Sequence, residues 1–233
     1  MKESESKEYI LIPRKTGKDA EKRLGVMSSC DGHWTREYKN WLEICRSFGV
    51  LIKRARLGRL SGYLAYHSIW MTKFRYSAPV ISFTTPQLSK MQQRIIGSCL
   101  SAAGYCNKLP RAVVYGTTRY GGMAWQNINV VSLYEKLKLL ICSIRLQDTV
   151  GKIMELQLSW LQLHSGIINP VLQAKMDITY LPKSWLTSLH RQLVEHDIAV
   201  AFSSLWLPTK QREEDRVIMD VVIASLPKWM WAG

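Results

Sequence analysis

Apolar residues recur every three or four positions through most of this chain, a period that predicts helices. Over residues 35–56 the stripe is Tyr38, Trp41, Leu42, Cys45, Phe48 and Leu51 or Ile52, and Leu57-Gly58 ends it. A second helix begins at Arg59 or Ser61 and reaches about Phe74. Leu60, Leu64, His67 and Met71 fall on one side of it, with Tyr63, Tyr66 and Trp70 beside them. Pro79 breaks the period, leaving Val80–Phe83 as a short extended segment. Thr84-Thr85-Pro86 then opens a third helix, a hydroxyl cap followed by proline, with Leu88, Met91, Ile95, Cys99 and Leu100 as its stripe and Gly104 as its stop. Further helices are predicted over residues 130–146, over 148–164 with Asp148 as N-cap and Gly166 as stop, after Pro182, and from about Arg212.

Strand signals are few. Residues 9–12 (Tyr, Ile, Leu, Ile) and 24–27 (Leu, Gly, Val, Met) are short β-prone runs, so residues 8–30 read as a small antiparallel pair closed by the Asp31-Gly32 turn signal. The stretch 108–126, with Pro110, Gly116 and Gly121-Gly122, reads as a loop holding a β-hairpin. The helix over 148–164 is apolar on several sides, through Ile153, Met154, Leu156, Leu158, Trp160, Leu161 and Leu163, which predicts a core helix. The fold class is mainly α, with a short N-terminal hairpin.

Charge changes the picture more than composition does. The chain carries 32 Lys+Arg against 18 Asp+Glu, a net +14. Residues 44–134 contain no acidic residue, yet they hold Arg46, Lys53, Arg54, Arg56, Arg59, Lys73, Arg75, Lys90, Arg94, Lys108, Arg111 and Arg119. These twelve cations account for nearly all of the net charge. A surface that needs only solubility mixes both signs, whereas a long stretch without carboxylates points to a polyanion. A solvated basic face without a ligand is the plain rival. Lys108 apart, these residues are the candidate nucleic-acid contacts.

Catalytic chemistry finds little footing. There is no H-E-x-x-H, no C-x-x-C, no G-x-S-x-G, no phosphate-binding G-x-x-x-x-G-K-[ST] loop and no Asp-Asp pair. The concentrated carboxylates, Glu213, Glu214, Asp215 and Asp220, fall at a predicted helix start, where acids favour the dipole. No metal site is expected. Five widely spaced cysteines read as reduced, mostly buried thiols of an intracellular protein, with nothing to separate nucleus from cytoplasm. No apolar run is long enough to span a membrane. Of the nine tryptophans, Trp41, Trp70, Trp160 and Trp185 sit in apolar stripes. Trp125 and Trp34, beside turns, are the candidates for exposed contacts. His67, on an apolar face, reads as a hydrogen-bonded core histidine.

Several motifs occur in an order similar to the C-terminal half of reverse transcriptases from non-LTR-type retrotransposons. They are Lys22-Arg23-Leu24-Gly25-Val26 followed by Asp31-Gly32; Ala65-Tyr66 and Arg75-Tyr76 leading to Pro79; Gln92 to Gly104 followed by Leu109-Pro110-Arg111 and Tyr115-Gly116; Tyr120-Gly121-Gly122-Met123-Ala124-Trp125; and residues 215–220. Ala124 stands where the family often has glycine. The resemblance implies palm-end strands at 8–30 after a polar tail at 1–7, a basic, thumb-like helical bundle at 31–134, a C-terminal helical region at 135–226 and a tail at 227–233. It makes Leu24-Gly25 part of a primer-grip-like strand, with Gly25 leaving room for a primer backbone. It also implies a non-catalytic C-terminal fragment of an RNA-directed DNA polymerase. The Tyr-x-Asp-Asp site is absent, and Mg²⁺ would belong to a palm this chain lacks. The implied partners are an RNA–DNA hybrid or duplex and an upstream fragment carrying the palm. The alternative from another class is an independent basic helical module that binds nucleic acid or an acidic protein.

Overall fold

The computed structural model describes residues 16–167 and 169–202. The predicted strand at 9–12, the last helix with its acidic cluster, and the motif at 215–220 lie outside the described residues.

The chain is mainly helical, with one two-stranded antiparallel hairpin. In the hairpin, β1 (Glu21–Arg23) pairs with β2 (Val26–Ser28), and Arg23 sits opposite Val26. Leu24-Gly25 is therefore its two-residue turn, and the predicted strand at 24–27 is corrected accordingly. Both residues have positive φ, 46° and 87°, as the tight connection matching strand twist requires. Gly25 is there for that left-handed backbone. The hairpin rests on the helices beneath it. The Met27 amide donates to buried Glu37 at 2.9 Å, and the Tyr76 hydroxyl donates to the Leu24 carbonyl at 2.8 Å.

Three helical rods form the first core. The first is α1 (Thr35–Arg54). The second is continuous from α2 (Arg59–Leu64) through a π-helical stretch (Ala65–Met71) into α3 (Thr72–Ser77). The third is α4 (Thr85–Ala102). Tyr38 meets Phe83 near the starts of α1 and α4, and Gly49 meets Ser98 near their ends. The two helices thus run parallel and in direct contact, with the second rod returning antiparallel alongside them. Side chains of Trp41, Cys45 and Ile52 on α1, and of Leu88, Met91, Ile95 and Cys99 on α4, are buried along this packing.

The π-helical stretch re-aims the middle rod. Tyr66 stacks on Trp70 at 5.7 Å, and Trp70 on Phe74 at 5.7 Å, with Trp41 edge-on to both Trp70 and Phe74. Widening the helix to i→i+5 bonding turns Tyr66, Trp70, Met71 and Phe74 inward together. The predicted stripe is corrected: Leu60 and Leu64 are exposed, and the aromatic ladder is the buried face.

The stretch 108–126 is not a β-hairpin. It forms α5 (Arg111–Tyr115) and a 3₁₀ turn (Thr118–Tyr120), after which Met123 and Trp125 donate back to the carbonyls of Val113 and Val114. Gly116 and Gly122 lie backbone to backbone here. A Cβ on Gly122 would sit 2.2 Å from the Gly116 carbonyl. The turn takes positive φ at Gly121 and again at Ala124, 77° and 53°.

A second core follows. It is built by α6 (Ile128–Leu146), α7 (Thr149–Ser165) and α8 (Trp185–Glu195). Asn127, Asp148 and Ser184 cap their N-termini through side-chain oxygens. The two cores meet inside α6, where Val131 belongs to the first and Leu133 to the second. A Trp185 Nε1 bond to the Pro79 carbonyl at 2.7 Å ties them further. Gln162 holds the loop after α7, donating to the carbonyls of Ile167 and Asn169 and accepting from the Val171 amide. No helix among the described residues is long and apolar enough to cross a membrane.

Candidate nucleic-acid interface

Helix geometry decides where the cations go. On α1, Arg46 and Lys53 are seven residues apart, two helical turns, so they share a face. Arg54 closes the last turn. Lys90 and Arg94 stand one turn apart on α4. All twelve cations of residues 44–134 are exposed. Only Arg46 and Arg75 lie within 4.0 Å of a carboxylate among the described residues, Arg46 from Glu43 and Arg75 from Glu135.

The densest group lies where α1 and α4 end together. Because the helices are parallel, their C-terminal turns adjoin, and Lys53 and Arg56 from one side face Ser101 and Ala102 from the other. With Leu57 they line a recess of about 390 Å³. Arg59 follows at the start of the second rod, its guanidinium 5.0 Å above the Tyr105 ring. The small residues Gly49 and Ser98 let the helices approach just below this end. A Cβ on Gly49 would meet Ser98 Oγ at 2.8 Å.

Two opposing fields meet here. Two helix C-termini bring a partial charge of about −0.5 each, and basic residues in last turns are favourable for that reason alone. Compensating the two ends takes about one positive charge. Lys53, Arg54, Arg56 and Arg59 bring four, so the junction stays strongly positive. Arg56 has φ of 45°, a left-handed conformation at the helix end that glycine adopts at no steric cost. An arginine held there at a cost of about 1 kcal/mol is the kind of outlier that clusters at functional positions.

The remaining predicted contacts disperse. Lys73 and Arg75 are on α3, on the order of 20 Å along the rod from Arg59. Arg75 is engaged in the fold itself, bonding Gln126 at 3.2 Å and pairing with Glu135 at 3.7 Å. It couples α3 to α6. Arg111 begins α5, and Arg119 lies over Tyr120 at 5.7 Å. Arg94 is close enough to α1 that its charge acts on the Cys45 thiol, although burial dominates and pushes that thiol up to about 12. Leu24 and Gly25 stand at the exposed hairpin tip, with Leu24 90% accessible.

Other expectations are corrected. Trp125 is buried against Tyr63 and Tyr66, and Trp34 packs on the first core, so neither is an exposed contact. Trp160, expected in the core, is exposed, its ring tilted against that of His164 at 4.2 Å between centroids. Residues 150–163 are two-faced rather than fully buried. Met154, Leu158 and Leu161 face the core, while Ile153, Leu156 and Leu163 are exposed. Cys45 and Cys99 are buried, but Cys30, Cys106 and Cys142 are exposed, so the thiols are not mostly buried. His67 Nε2 is buried with no hydrogen-bond partner among the described residues. Burial, then the nearby Arg75, hold this imidazole below its usual range.

A larger recess, about 670 Å³, lies between the hairpin end and the start of α1. Asp19 and Asp31 share it with Lys18, Arg36 and Lys39, so its charge is mixed and suits a polyanion poorly. Among the described residues no three His, Cys, Asp or Glu side chains converge. Sequence reasoning missed Tyr105 and Ser101, which reach the junction only through the parallel packing of α1 and α4. No known family, curated protein or solved structure matches this chain.

Proposed function

We propose that this chain grips duplex or hybrid nucleic acid through phosphate contacts, without reading base sequence. The observation that carries the reading is the exposed, acid-free set of cations, concentrated at the joint end of α1 and α4 and left, among the described residues, almost wholly without carboxylate partners. A phosphate rod needs that: positive groups that neutralise it, and no carboxylates to repel it. Arg46, Lys53, Arg54, Arg56 and Arg59 form the principal contact group. Lys73, Lys90, Arg94, Arg111 and Arg119 extend it, and Arg75 serves mainly as a tie between the cores. In the reverse-transcriptase reading this is a thumb without its palm. The polymerising carboxylates and their Mg²⁺ belong to another segment or chain, and residues here only hold the primer–template.

One observation favours the alternative, an independent basic helical module. The two strands pair with each other and dock on Glu37 and Tyr76 of this same chain, which gives the hairpin a place of its own without a palm sheet.

The test is binding to two RNA–DNA hybrids of unrelated sequence, read by fluorescence anisotropy at low salt. Wild type is expected to bind both within about threefold, since phosphate contacts carry no sequence information. A variant with Lys53, Arg54, Arg56 and Arg59 changed to glutamine is expected to lose at least about tenfold on both. Strong preference for one sequence would overturn the phosphate grip in favour of a sequence-reading module.

A further inference from the structure

The joint end of α1 and α4 is more than a positive patch. The recess lined by Lys53, Arg56 and Ser101 has room, at about 390 Å³, for a nucleotide-sized group and not for a duplex. Beside it, the Arg59 guanidinium is supported 5.0 Å above the Tyr105 ring, and Tyr105 itself is packed against the first core. The Tyr105 ring thus backs the guanidinium on one side, while Arg59 remains exposed. A supported guanidinium plane is a surface on which an unpaired base stacks. A base inside a duplex has both faces covered by its neighbours and cannot use it.

The two features share the same short segments. Arg56 and Leu57 of the recess lead directly into Arg59, and Ser101 and Ala102 lead through Gly104 into Tyr105. Arg56 occupies its left-handed conformation at this corner, where the chain turns from α1 toward Arg59. Phosphate-neutralising groups and a guanidinium seated over an aromatic ring are thus neighbours along these two segments.

From this juxtaposition we propose that the α1–α4 junction is a subsite for a single-stranded end of nucleic acid, with Lys53 and Arg56 holding its phosphate and the Arg59–Tyr105 pair stacking its terminal unpaired base. The proposal rests on the nucleic-acid reading above and adds to it a preference for an overhang.

The experiment compares a blunt RNA–DNA hybrid with the same hybrid carrying a short single-stranded overhang, at one fixed low salt concentration. Wild type is expected to bind the overhang form about tenfold more tightly, in keeping with one stacked base. Arg59→Lys keeps the charge and removes the plane. It should melt at the wild-type temperature and bring the ratio of overhang to blunt affinity down to about one, whatever its affinity for the blunt hybrid. Arg59→Gln should lose the preference and also weaken blunt binding. Equal wild-type affinity for both hybrids would overturn the subsite while leaving the phosphate grip intact. An overhang preference that survives Arg59→Lys would also overturn it, since the stacking would then lie elsewhere. Absence of binding to either hybrid would remove the nucleic-acid reading and the subsite with it.

Discussion

Lys136 sits where a cation is costly. It is fully buried between α6 and α8, with the Ser188 hydroxyl at 3.2 Å as its hydrogen-bond partner. Burial drives its ammonium down to about 7 from an ordinary 10.5. Between those values the unfolded chain holds a proton that the folded chain has released. Stability therefore rises with pH from about 7 toward 10.5, and below 7 the burial penalty is constant. Lys136→Met should be more stable than wild type at pH 7 by about 1–4 kcal/mol, the range for replacing buried charges with apolar groups. It should also flatten the alkaline rise. Denaturant midpoints at pH 7 and pH 9 check both. At the hairpin tip, Leu24 is an exposed apolar residue at positive φ, a conformation asparagine tolerates better. Leu24→Asn keeps the carbonyl that Tyr76 uses and should raise stability by about 1 kcal/mol, measurable as a small increase in melting temperature. Lys136 did not stand out in the sequence, and Leu24 was read as part of a strand. Lys136 lies in a helix among other polar residues, and a Leu-Gly pair carries a strand signal as readily as a turn signal until its register is known.

Elements with their own punctuation were legible. The Thr84-Thr85-Pro86 start, the Asp148 cap, the Gly166 stop and the helix after Pro182 all fall within a few residues of where local chemistry puts them. What failed was the assignment of faces. The middle rod reads as an α-helix, but its aromatic ladder is buried by a π-helical widening that no local pattern announces. Helix α7 reads as apolar on several sides, yet only one face meets the second core. That difference has a measurable consequence. Leu158, inaccessible in the core, should cost about 2–5 kcal/mol when changed to alanine. Leu156, 71% accessible, should change stability by less than about 0.5 kcal/mol when changed to glutamine. Urea unfolding of the two variants separates these outcomes. A large loss in Leu156→Gln would mean that this face is covered in solution.

At the scale of the whole molecule, the charge asymmetry was fully visible in the sequence. Its geometry was not, because it depends on α1 and α4 being parallel. Parallel packing sets the basic end of α1 beside the uncharged end of α4 and brings Tyr105 under Arg59, while Arg75 is drawn into a tie with Glu135. Spacing along the chain gives none of these. The resulting surface has one dense positive end and a dispersed extension along α3, α4 and the loop around α5. A phosphate grip spread this way makes several weak, additive contacts, and its affinity must then depend steeply on salt.

The most direct test of the central claim is therefore the slope of binding against salt for an RNA–DNA hybrid, for wild type and for the variant lacking Lys53, Arg54, Arg56 and Arg59. Wild type should show a logarithmic slope of about −4 to −5, as four to six neutralised phosphates give, and the variant a slope shallower by about 3. A folded wild-type protein that fails to bind the hybrid at low salt, or a slope that the four substitutions leave unchanged, would contradict that claim.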